Sequence, residues 1–144
     1  MNKLNLFLSL CVLSISTVAS SQNAEPWTPE QLLSPDSLSA MISNPSTEKP
    51  LIIDIGPAGS IKGSVEIGPV NKKENLKTLN DLLLKENKDR EIVVYCGCCP
   101  YKNCPNIRPA FSLLNSLKFN NYKLLDLQNN LKMDWIDNVY PMTK

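Results

Sequence analysis

Three short apolar runs, LIIDI at 51–55, EIVVY at 91–95 and YKLLDL at 122–127, limit what this chain can fold into. The first two are rich in β-branched side chains, and the first is bounded by Pro50 and Gly56. Runs of that kind form strands covered on both faces. Two amphipathic stretches separate them. Leu76, Leu79, Leu82 and Leu83 fall on one helical face between Lys72 and Asn87, and Phe111, Leu113, Leu114 and Leu117 repeat the pattern beyond Pro109. Strand, helix, strand, helix, strand in that order predicts an α/β fold, a parallel central sheet with helices on both faces. In such a sheet the binding site lies beyond the carboxyl ends of the strands.

The remaining elements are read from local signals. Ser34, Pro35 and Asp36 supply a capping hydroxyl, a first-turn proline and an early acid, so a helix starts there and carries Leu38, Met41 and Ile42 inward. NPSTEKP ends it. GPAGSIKGSVEIGPV, with four glycines and two prolines, reads as an irregular connection with a brief strand at Val65–Ile67. The segment 22–33, QNAEPWTPEQLL, is polar and broken by proline, and is expected to be an arm lying on a domain that spans 34–144.

Lys3 precedes LNLFLSLCVLSIS, an apolar run of signal-peptide length, and TVASSQNAEP supplies small residues for cleavage near Ser20 or Ser21. Residues 1–21 are therefore expected to be a signal peptide. Cys11 follows Leu10 rather than a small residue, and leaves with it instead of carrying lipid. Loss of that segment removes Lys3 and no acid, leaving 14 basic and 14 acidic side chains. A balanced chain has no electrostatic footprint for nucleic acid, and no second apolar stretch is long enough to cross a bilayer. The expected location is secreted or periplasmic, where thiols tend to oxidise.

All four remaining cysteines lie in CGCCPYKNC, residues 96–104, at the exit of the EIVVY strand. The chain has no histidine, which excludes a Cys-His pair, a Ser-His-Asp triad and every histidine metal site. Three readings of the loop stand. In the first, Cys96 is a reactive thiolate, stabilised by the backbone amides of Gly97, Cys98 and Cys99, by the positive end of the helix that starts near Pro109, and by Arg108. In the second, Cys96, Cys98, Cys99 and Cys104 hold zinc or copper(I). In the third, an even set of thiols forms a disulfide staple. So short a loop constrains the unfolded chain little, so a staple stabilises toward the low end of about 0–5 kcal/mol. A redox-active disulfide between Cys96 and one loop partner combines the first and third.

LIIDIGPAGSIKGSVEIGP, REIVVYC, NYKLLDL and LKMDWIDNVYP together resemble the single-domain rhodanese-like sulfurtransferases over about residues 34–141. The resemblance places Asp54 after the first core strand, Cys96 as the catalytic cysteine and Trp135 near the end. It implies that Cys96 accepts a sulfane sulfur as a persulfide and passes it on. It implies a small sulfur donor or thiol acceptor; no cofactor is expected, and an exported thiol loop leaves room for an envelope redox partner. Cys98, Cys99 and Cys104 then resolve the persulfide or protect it as a disulfide. Eleven residues separate Cys96 from Arg108 where the family usually has four, DIG stands for the common DVR, and CGCCPYKNCPN marks a distinct exported subgroup. Strand position favours Cys96 over Cys104 as nucleophile. Asp54 reads as a loop cap more than a catalytic acid, Trp27 and Trp135 as packing residues, and Lys102 as a solvated lysine.

Overall fold

The computed structural model describes residues 25–144; the expected signal peptide and the first residues of the arm lie outside the described residues. Five strands, β1 (Leu32–Leu33), β2 (Leu51–Asp54), β3 (Val65–Glu66), β4 (Ile92–Tyr95) and β5 (Tyr122–Leu125), form one sheet in the order β1-β5-β4-β2-β3. Every pairing is parallel. The central strands are the apolar runs of the sequence, and Ile92, Val93, Val94 and Tyr95 of β4 are all buried because helices cover both sides of it. The two edge strands have two residues each, which leaves little unpaired backbone for another chain to add to.

Helices α2 (Lys73–Leu83) and α3 (Ile107–Ser116) cover one face. Leu79 and Leu83 of α2, and Ile107, Ala110, Phe111 and Leu114 of α3, meet Ile53, Val94 and Leu124 from the sheet. The i, i+3, i+4, i+7 spacing of the four α3 side chains is what turns one stripe of that helix inward. On the other face, α1 (Pro35–Ser43) contributes Leu38, and a π-helical turn at Lys132–Ile136 contributes Trp135, against Ile52, Val93, Tyr95 and Leu125. Trp135 is fully buried and its Nε1 donates to the Pro141 carbonyl at 3.1 Å. As expected for α1, the Ser34 hydroxyl accepts from the Ser37 amide at 3.2 Å and Pro35 opens the first turn.

The segment expected as an arm is more than that. Leu32 and Leu33 pair with Leu124 and Leu125 as edge strand β1, and Trp27 is buried between Tyr101 and Phe111, with ring centroids 5.8 Å from each. Two leucines are enough for a strand when a partner edge is already in place, although they carry no periodic signal of their own.

Candidate active site

The carboxyl ends of β2, β3 and β4 carry Asp54, Glu66 and the exit to Cys96. Asp54 pairs with Tyr95 across β2 and β4 and with Glu66 across β2 and β3, so acid and sulfur come from neighbouring strand ends. Gly56 makes their closeness feasible: a Cβ on it would lie 2.1 Å from the Cys96 carbonyl oxygen and 2.6 Å from its Sγ. The glycine of DIG therefore leaves room for the thiol. Gly97 turns the chain at φ +76°, a conformation open to residues without a Cβ, and an added Cβ would meet Leu131 at 2.9 Å.

Cys96 is only 2% exposed and Cys104 is fully buried, whereas Cys98 is exposed and Cys99 half-buried; all four are free thiols. The Cys96 and Cys98 sulfurs lie 3.3 Å apart, and Asn106 donates from Nδ2 to the Cys96 sulfur, also at 3.3 Å. Asn106 is itself buried and its Oδ1 accepts from the Asn71 amide at 3.0 Å, which fixes the direction of the donor. Its place immediately before α3 also puts that helix's N-terminus beside the sulfur.

These contacts hold the Cys96 thiol down at about 5 against an ordinary 9. The Cys104 thiol contributes most and burial opposes it, while Asn106, the Cys98 amide and the Cys98 thiol add the rest. Its neighbours move the other way. Burial and the adjacent sulfurs push Cys98 up to about 12, and Cys104 is raised because it donates to Cys96 and is desolvated. One sulfur is thus anionic at neutral pH, with protonated thiols beside it. Of Cys96 and Cys104, Cys96 is the sulfur whose neighbours favour its anion.

Arg108 is placed elsewhere than expected. Its guanidinium is ion-paired with both carboxylate oxygens of Glu25 at 2.7 Å, donates to the Lys102 carbonyl at 3.1 Å and lies 5.4 Å from the Trp27 ring centre. It ties the N-terminal segment to the end of the loop, and the donors at Cys96 are Asn106, Cys104 and Cys98. Among the expected Gly97–Cys99 amides, that of Cys98 contributes to holding the thiolate. The Gly97 carbonyl accepts from the Leu131 amide at 2.9 Å, and the Tyr101 amide donates to the Leu127 carbonyl at 3.1 Å. Two backbone ties thus hold the loop to the segment that follows β5.

Asn106 and Gly56 were not read as site residues. The signal for Asn106 was available, since an asparagine directly before a helix is ordinarily a cap; here its side chain makes no cap bond and serves the sulfur instead.

Beside the sulfur, across Gly56, a cleft of about 400 Å³ is bordered by Asp54, Gly59, Glu66 and Gly68. Asp54 is 3% exposed, its Oδ1 accepts from the Gly56 amide at 2.9 Å, and burial pushes its carboxyl up to about 7. Tyr95 is buried beneath this corner, with its hydroxyl accepting from the Ile61 amide at 2.9 Å. For a metal, Cys96, Cys98 and Cys104 bring their sulfurs within 4.8 Å of one another; Cys99 does not join them.

No family model matches the sequence, and no curated protein matches it either. Solved structures do. A variant of EanB complexed with hercynine shares 20% identity with this chain at a TM-score of 0.57, over 79% of it. An EanB cysteine persulfide in a tetrahedral intermediate state with ergothioneine gives 22% identity and a TM-score of 0.54 over 78%. The fold is rhodanese-like. This chain spans 27% of the length of those proteins.

Proposed function

We propose that this rhodanese-like domain is an exported sulfur carrier in which Cys96 holds sulfane sulfur as a persulfide. The observation that carries the proposal is the buried Cys96 thiolate, held at about 5 by Cys104 and Asn106. The persulfide named in one of the similar EanB structures supports it.

The step balances without a cofactor. The Cys96 thiolate attacks the terminal sulfur of a sulfane donor, a sulfur–sulfur bond forms, and the donor's own bond breaks with its electron pair leaving on the donor residue, which for thiosulfate is sulfite. An acceptor thiolate then attacks the outer sulfur, carries it away as a new persulfide, and returns Cys96 as a thiolate. Asn106, the Cys98 amide and the protonated thiol of Cys104 stabilise the sulfur anion at both stages. Cys98, 3.3 Å away and exposed, is placed to attack a persulfide that meets no acceptor. That reaction leaves a Cys96–Cys98 disulfide and releases hydrosulfide, and an envelope dithiol reductant then has to reset the site.

The test is the intact mass of the reduced mature protein before and after thiosulfate. Wild type is expected to gain one sulfur atom on Cys96 that a small thiol removes, and Cys96→Ser to gain none while keeping its circular dichroism. Full loading of the serine variant would overturn the assignment.

A further inference from the structure

We propose that Cys96, Cys98 and Cys104 also form a three-coordinate site for a soft monovalent metal, copper(I), whose occupancy excludes sulfur from Cys96. Three observations lead there. The three sulfurs lie within 4.8 Å of one another, with the Cys96–Cys98 pair at 3.3 Å. A metal bound to three sulfurs in a plane at about 2.3 Å holds them about 4 Å apart, so each sulfur needs to move by less than about an ångström. Finally, sulfur transfer needs one bond-making thiol and gives Cys104, fully buried against Cys96, only a supporting role; in the metal site all three thiols have equal work.

The donor set selects the ion. Thiolates favour copper(I) among the available metals, whereas structural zinc asks for four protein ligands. A fourth is not in place here: the chain has no histidine, no carboxylate joins the group among the described residues, and Cys99, although its sulfur lies 3.4 Å from that of Cys98, is not within 4.8 Å of all three. The surroundings suit a site that takes up its ion from outside. Cys98 sits at the surface while Cys96 and Cys104 are buried, so the ion enters along the exposed thiol and ends where water is excluded. Metal and sulfane sulfur then compete for the same lone pairs of Cys96.

The experiment is an anaerobic titration of the reduced mature chain with copper(I) against a coloured chelator, followed by alkylation of Cys96. One copper per chain is expected. Cys98→Ser, an exposed position whose replacement leaves the core untouched, is expected to weaken binding by more than about 100-fold, beyond what loss of a supporting contact costs a metal site. Cys96→Ser and Cys104→Ser are expected to match it, Cys99→Ser to bind as wild type, and bound copper to protect Cys96 from alkylation. Absence of binding, unchanged affinity in Cys98→Ser, or loss in Cys99→Ser equal to the others would overturn the site. None of these readouts involves sulfur loading, so the result stands apart from the carrier reading above.

Discussion

Asp54 and Cys96 titrate in opposite senses over the same pH range, and their effects on stability should cancel until one is removed. Asp54 moves from 3.8 unfolded to about 7 folded because it is buried. Between those values the folded state keeps a proton that the unfolded state has lost, so its contribution is complete below 3.8 and is lost as pH rises through 7. Cys96 moves from 9 to about 5, chiefly through Cys104. Its contribution is complete above 9 and is lost as pH falls through 5. Each slope is about 1.4 kcal/mol per pH unit, so from pH 5 to 7 each amounts to about 2.7 kcal/mol, with opposite signs. The chain has no histidine, the side chain that ordinarily titrates in that window. Urea unfolding of the reduced protein at fixed ionic strength should give a nearly level stability from pH 5 to 7. Asp54→Asn, which keeps the acceptor for the Gly56 amide, should instead gain about 2–3 kcal/mol over that range. Cys96→Ser should lose slightly less than that, because the thiolate itself helps raise Asp54. A level profile in either variant would refute the paired titration.

Removing the Asn106 donor as Asn106→Leu should raise the midpoint of Cys96 alkylation by about 1–2 pH units, the worth of one hydrogen bond to a charged group; an unmoved midpoint would discard the role given to that amide. Gly56→Ala puts a methyl 2.1 Å from the Cys96 carbonyl oxygen and should destabilise by at least about 1–3 kcal/mol, visible as a lower melting temperature and altered Cys96 reactivity. An unchanged melt would contradict the contact. Trp27→Ala should lose about 3–5 kcal/mol in chemical unfolding; a loss near zero would return residues 25–33 to the status of a loose arm.

The sheet was legible because its central strands are buried on both faces, which leaves continuous apolar runs at 51–55 and 91–95, and because Ser34-Pro35 announces a helix by local chemistry. The position of Cys96 was legible in the same way, directly after the central strand β4 ends at Tyr95. Other features depend on what is distant along the chain. Arg108 looked like a partner for the sulfur until Glu25, 83 residues earlier, was seen to hold it. The pairing of Leu32 with Leu124 is equally non-local. Asn106 was hidden for another reason: the same amide can cap a helix or address a sulfur, and only the direction of its side chain tells which.

The two backbone ties across the loop give it an internal clock. The Leu131 amide is buried and bonded to Gly97 while the thiol loop is closed, and the loop must leave that bond before deuterium reaches the amide. Hydrogen exchange at the Leu131 and Tyr101 amides therefore reports how readily the cysteine loop opens, without a label on any sulfur.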